Sequence, residues 1–137
     1  MIQAIQLTNL CCNLIKKDLL KNRLALAGIQ NEKLNQCLLN IFKNCIEAMP
    51  TGGDLILTLV PDHKHIQLYI KDTGVGMDQE QIKRLGSPFY STKEKGTGLG
   101  MMVVFSVIQA MDGKIDIISE KGTGTTFLLT FPLIQKT

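Results

Sequence analysis

Leu34, Cys37, Leu38, Ile41, Cys45 and Ala48 recur at steps of three and four, the spacing that gathers apolar side chains on one face of an α-helix. Asn31 ahead of them reads as an N-cap, and Pro50, Gly52 and Gly53 end the run. The period then falls to two. Leu55, Leu57 and Leu59 alternate with their neighbours, as do Ile66, Leu68 and Ile70, so a hairpin is predicted with its turn at Pro61-Asp62-His63-Lys64. A second hairpin is predicted over 114–119 and 125–131. Between the two, residues 99–111 are apolar nearly all round and predict a buried helix with Gly113 at its C′ position. Towards the N-terminus, Ile5, Leu10, Leu14, Ile15 and Leu19 lie near helical spacing and predict an amphipathic helix over residues 1–22. A short strand is predicted over 24–29. Residues 73–100 are Gly-rich, with one short helix expected near 79–85.

These elements make one α/β domain over residues 1–137. It is a two-layer sandwich, a mixed and mostly antiparallel sheet with helices packed on one face. A long connection inside such a domain is usually functional, often a lid, and residues 77–97 occupy that place.

Composition changes this picture little. Hydrophobic residues are 45% and charged residues 20% of the chain, an ordinary balance for a packed core. A net charge of +3 is too small to argue for nucleic acid, and none is expected as a partner. The basic cluster Lys16, Lys17, Lys21 and Arg23 suits a solvated helix face, or contact with an acidic partner or the helices of another domain. Four cysteines, Cys11, Cys12, Cys37 and Cys45, include no Cys-x2-Cys step, which argues against zinc. Cys37 and Cys45 fall on the apolar helix face, as small hydrophobes in a reducing compartment do. The apolar run 101–111 is too short to cross a bilayer and no signal peptide stands out. The expectation is a cytoplasmic, monomeric domain without membrane contact.

Four motifs carry candidate chemistry. Asn44 sits on the shoulder of the first helix's apolar arc, with Asn40 one turn earlier. An amide oxygen there can ligate Mg²⁺, which takes few protein ligands besides water and phosphate oxygens. The same pair also suits a polar boundary on an amphipathic helix. Glu47 further along points either to the rim of a site or to solvent, solvent being expected. Asp72 ends a predicted strand in Asp72-Thr73-Gly74-Val75-Gly76. A carboxylate accepts hydrogen bonds only, so it attracts adenine's exocyclic amine and repels guanine's carbonyl. A plain Asp-Thr-Gly turn is the other reading. Gly74 and Gly76 allow close backbone approach. Gly96-Thr97-Gly98-Leu99-Gly100 lacks the preceding strand of a dinucleotide fingerprint, and no P-loop run occurs. It fits a lid that ends in a helix whose first amides hold phosphate. Ser91, Thr92, Lys93 and Lys95 add hydroxyls and positive charge on that side. Lys93 is the candidate for the γ-phosphate, against the alternative of a solvated charge run, and Phe89 is expected to plug the lid base.

Taken in order, with Gly122-Thr123-Gly124-Thr125-Thr126-Phe127 as the last, these motifs resemble the N, G1, F, G2 and G3 boxes of the ATP-binding domain of sensor histidine kinases. The run Pro88-Phe89-Tyr90-Ser91-Thr92-Lys93-Glu94-Lys95-Gly96 most resembles the short-lid kinases of the nitrogen-regulation and Bacillus sporulation type. The resemblance implies a Bergerat ATP-binding fold that binds ATP with Mg²⁺. It implies Asn44 on the metal, Asn40 near the nucleotide, and Asp72 and Thr125 at the adenine end. It extends the nucleotide contacts to Gly74, Gly76, Met77, Ser91, Thr92, Lys93, Gly96, Thr97, Gly98, Leu99, Gly100 and Met101, with Asn44 and Lys93 in the catalytic roles. The γ-phosphoryl would pass to a histidine on a separate dimerisation domain, and later to a response regulator, in two-component signalling.

Related gyrase, chaperone and mismatch-repair ATPases carry glutamate where this chain has Asn40. An amide cannot serve as a general base, which argues for transfer over hydrolysis. Cys45 stands where the family usually has alanine, and the stretch 24–30 is short, with Gly28 but no aspartate. His63 and His65 lie in a predicted surface turn, so the domain should not phosphorylate itself alone. A stand-alone anti-sigma-type serine kinase of the same fold is the alternative, followed by a non-catalytic, nucleotide-gated interaction module.

Overall fold

In the computed structural model, which describes residues 3–7, 33–61, 63–85 and 100–133, the two predicted hairpins supply most of a five-stranded sheet. The strands are β1 (Gln3–Leu7), β2 (Leu55–Pro61), β3 (His65–Asp72), β4 (Lys114–Glu120) and β5 (Gly124–Pro132). The helices are α1 (Leu34–Glu47), α2 (Gln79–Arg84) and α3 (Gly100–Ala110). Sheet order is β1-β2-β3-β5-β4. Every pairing among the described strands is antiparallel, in line with the mostly antiparallel sheet expected.

Side chains of one pleat face line up across the sheet. Leu57 opposes Ile70, Ile70 opposes Phe127 and Phe127 opposes Ile117. The next row runs Leu59, Leu68, Leu129 and Ile115. In these rows the residues of β2, β3 and β5 are buried, and α1 covers them with Leu34, Cys37, Leu38, Ile41, Phe42 and Cys45. Each such leucine, isoleucine or phenylalanine stabilises the fold by about 1.5–3 kcal/mol through loss of apolar surface from water. Helices on one face of a sheet make the two-layer α/β sandwich that the alternating patterns predict.

Four expectations need correction. Residues 3–7 form an edge strand against β2 and not the start of a helix: Ile5 and Leu7 alternate with Gln6 and are register partners of Leu57 and Leu55. The rest of the predicted helix over 1–22, the strand over 24–29 and Asn31 lie outside the described residues. The N-cap of α1 is Lys33, without a side-chain cap bond. The helix α3 is buried on one side only, through Met101, Val104, Val107 and Ile108, while Val103 is 42% exposed. A helix of 11 residues packed on a single sheet face leaves its far side to solvent, and Ser106 and Gln109 are exposed there with Val103.

The fourth concerns the end of α3. The left-handed residue is Asp112, with φ of 55°, and Gly113 follows it. The Gly113 N–H returns to the Ile108 carbonyl at 2.9 Å and the Asp112 N–H to that of Gln109 at 3.0 Å, the paired bonds of a Schellman closure. Aspartate tolerates that conformation. One step later glycine gives room, because a Cβ there would lie tight against the Thr130 carbonyl and Ile108.

Candidate functional site

The inward-facing rows turn polar at one end of the sheet. Leu55 opposes Asp72 across β2 and β3, and Ser119 opposes Thr125 across β4 and β5. Asp72 is 1% exposed and Thr125 is also buried, two polar side chains in an otherwise apolar core among the described residues. A buried carboxylate is costly unless hydrogen-bonded. Asp72 Oδ1 accepts from the Gly74 N–H at 2.9 Å and from the Thr125 N–H at 3.1 Å. Both bonds fall on one oxygen, which leaves the other carboxylate oxygen as the acceptor for a partner.

The loop after Asp72 is pinned on two sides. The Val75 N–H donates to the Ala48 carbonyl at 2.9 Å, satisfying an acceptor just past the end of α1. The Gly122 N–H donates to the Val75 carbonyl at 2.8 Å, tying the same loop to the β4–β5 turn. The Met77 N–H donates to Ser119 Oγ at 2.8 Å. Gly76 has φ of 71°, and a Cβ on it would run into the Glu120 carbonyl, so both conformation and space demand glycine. The predicted short helix forms as α2, capped at Asp78. Its carboxylate accepts from the Gln81 N–H at 2.8 Å and Gln81 Oε1 accepts from the Asp78 N–H at 2.9 Å. Gln81's backbone N–H holds the Asp78 carboxyl below the usual carboxylate range, with Lys121 at 3.3 Å adding to the effect.

These pieces enclose a cavity of about 250 Å³. Asn44, Glu47 and Ala48 of the α1 end form one wall. Asp72, Val75, Gly76 and Met77 form the second, and Thr125 and Phe127 close the base, with Gln81 and Leu85 at the side. Mostly apolar walls with a few convergent polar groups are the usual make-up of a small-molecule site. Asn40 lies beside it. Its Nδ2 donates to the Gly100 carbonyl at 3.3 Å and its Oδ1 accepts from Gln36 at 3.2 Å, so the Asn helix is tied to the first residue of α3. Met101, next in α3, is buried in the core.

Asn44, Asp72, Gly76, Met77 and Thr125 therefore meet around one space. Gly74 binds the Asp72 carboxylate from the adjoining turn, and Asn40 and Gly100 join at its flank. Phe89, Ser91, Thr92, Lys93, Lys95, Gly96, Thr97, Gly98 and Leu99 lie outside the described residues. Glu47 is exposed, as expected, and also lines the rim of the cavity; Lys43 stands 4.0 Å from its carboxylate. Ser119, Gln81, Leu85 and Phe127 were not expected at the site. The signal for Ser119 was available in the strand period: it shares the inward face with Ile115 and Ile117. Among the described residues no three His, Cys, Asp or Glu side chains converge on a metal-sized point. The oxygen donors here, the Asn44 amide and the Glu47 carboxylate, suit a hard cation that brings most of its ligands with it.

Residues 29–135 match the family described as histidine kinase-, DNA gyrase B- and HSP90-like ATPase. The chain is 47% identical over 104 residues to Sporulation kinase E of Bacillus subtilis (strain 168), covering 75% of this chain and 14% of that protein. It is 45% identical over 106 residues to Sporulation kinase C of the same organism, covering 77% and 24%. Sensor histidine kinase ZraS of Escherichia coli (strain K12) is 32% identical over 102 residues, covering 74% and 22%. The chain thus spans a quarter or less of the length of these relatives. Mycobacterial sensor histidine kinase MprB shares the fold, with a TM-score of 0.71 at 18% identity over 97% of this chain and 98% of that one.

Proposed function

Because the chain belongs to the histidine kinase-, DNA gyrase B- and HSP90-like ATPase family, a membership that implies ATP binding, we propose that it is the catalytic domain of a sensor histidine kinase. It binds ATP with Mg²⁺ and donates the γ-phosphoryl group to a histidine on a dimerisation domain, from which a response regulator aspartate later receives it. The observation that carries the reading is the buried Asp72, bonded to Gly74 and Thr125 at the floor of a cavity whose other wall ends in Asn44.

Asp72 accepts a hydrogen bond from the adenine amine, and its charge excludes a carbonyl in that place. Val75, Met77, Leu85 and Phe127 line the cavity against the base faces. Asn44 is the residue that would hold Mg²⁺, through its amide oxygen, with Glu47 beside it. When bound, the ion supplies charge neutralisation on the phosphates. Lys93, with Ser91, Thr92, Gly96 and Thr97 of the lid over 77–97 and Gly98 and Leu99 just after it, contributes the phosphate contacts, and Gly100 and Met101 begin the helix that follows. Such transfer depends on positioning and charge stabilisation more than on covalent chemistry. Asn40 offers no base to activate water, which supports transfer over hydrolysis.

The test is to mix this domain with a separate histidine-bearing dimerisation domain and labelled ATP. Acid-labile phosphate on that domain is expected. Acid-stable label on a serine substrate, with none on histidine, would contradict the proposal.

A further inference from the structure

We propose that Ser119 is a positioning residue that sets which way the Thr125 hydroxyl points its proton, and so tunes the pocket to a base carrying an exocyclic amine in place of a carbonyl. The inference rests on the purine-nucleotide reading above and adds to it a residue that does not line the cavity.

A serine hydroxyl has one proton to donate and two lone pairs to accept with. Ser119 Oγ has three neighbours. It lies 3.0 Å from the Gly124 carbonyl, which can only accept, so the serine proton goes there. The Met77 N–H, at 2.8 Å, can only donate, and takes one lone pair. The third contact, Thr125 Oγ1 at 2.7 Å, is open to either direction by itself. With the other two satisfied, Ser119 has a lone pair left and no proton. Thr125 is therefore the donor, and its hydroxyl proton is spent on Ser119.

What Thr125 then shows the cavity is lone pairs alone. Its backbone N–H is spent as well, on Asp72 Oδ1. The polar floor becomes an acceptor surface made of Asp72 and Thr125, and it matches a 6-amino purine. A 6-oxo purine brings a carbonyl oxygen against acceptors, an arrangement with no proton to share. The restriction is held by the Ser119 network: without its oxygen, the Thr125 hydroxyl is free to turn and donate to such a carbonyl.

The experiment measures dissociation constants of ADP and inosine diphosphate by calorimetry for the natural chain, Ser119→Ala, Thr125→Val and the double variant. The natural chain should prefer ADP. Ser119→Ala should lower that preference about fivefold, the worth of one ordinary hydrogen bond, and Ser119→Thr should restore it. In the Thr125→Val background, Ser119→Ala should leave the preference unchanged. Equal weakening of both nucleotides by Ser119→Ala, or the same change in preference with and without the Thr125 hydroxyl, would assign Ser119 a structural role and overturn the proposal. If Ser119→Ala does not fold, Ser119→Cys, with a weaker acceptor of similar size, reads the same ratio. A natural chain that binds neither nucleotide would overturn the purine-nucleotide reading itself; one that binds ADP while the ratio ignores Ser119 would overturn this inference alone.

Discussion

Thr125 donates its backbone N–H to Asp72 Oδ1 at 3.1 Å, although 53 residues separate them in the chain. The bond joins the end of β3 to the start of β5, and thereby the Gly-containing turn that lines the cavity to the β4–β5 turn. It also orients a buried carboxylate before any ligand arrives, so recognition costs little reorganisation.

Asp72→Asn keeps an oxygen for both backbone donors and replaces the other oxygen with an NH₂ group that repels an amine. The chain should fold, while ADP affinity measured by calorimetry should fall by roughly tenfold or more. Asp72→Ala leaves two buried N–H groups without partners. It should lower stability by about 2 kcal/mol or more in chemical denaturation.

Gly76 and Gly122 both have positive φ, 71° and 85°. A Cβ on Gly122 meets nothing within 4 Å, whereas one on Gly76 collides with the Glu120 carbonyl. Gly122→Ala should therefore cost about 1 kcal/mol, the strain of the conformation alone. Gly76→Ala should cost distinctly more in the same thermal melts and should weaken ADP binding, because Met77 next to it lines the cavity. Equal costs at the two positions would contradict the steric account.

The hairpins and α1 are legible in the sequence because their signals are local and periodic, whereas Thr125 was placed beside Asp72 only through the family resemblance of the ordered motifs. Leu55, Leu57 and Leu59 with Ile66, Leu68 and Ile70 fix the buried face without any knowledge of the partner strand. The edge strand over 3–7 was hidden because Ile5, Leu10 and Leu14 also satisfy a helical spacing, and only the register against Leu55 and Leu57 decides between them. At Gly113 the sequence pattern named the right turn and the wrong residue, since the left-handed position is Asp112 and Gly113 sits one step later in a tight space beside Thr130. Ser119 was overlooked because its role arises from three neighbours distant in the chain or across a turn, none of which forms a motif with it.

Asp78 gives a pH dependence with a definite sign. Its folded pKa is lowered, chiefly by the Gln81 N–H. Its contribution is therefore fully present above the ordinary aspartate value of about 3.9 and is lost as pH falls through the lower folded value. Amide exchange at Gln81 should stay slow from neutral pH down to that region and accelerate below it. In Asp78→Ala the fast exchange should be present throughout. Loss of protection well above pH 4 in the natural chain would contradict the capping assignment.

Asn44→Ala should reduce the Mg²⁺ dependence of ATP binding while leaving ADP binding without metal close to unchanged, because the adenine end does not include this side chain. Titrations of ATP with and without Mg²⁺ check it. An unaltered dependence would remove Asn44 from the metal.

The central claim is that one cavity, floored by Asp72 and Thr125 and flanked by Asn44, takes a purine nucleotide. Amide NMR during an ADP titration tests it most directly. Saturable shifts are expected at Asn44, Asp72, Gly74, Gly76, Met77 and Thr125, with Lys64 in the far β2–β3 turn unaffected. An unshifted floor at saturating ADP, or shifts centred elsewhere on the sheet, would contradict it.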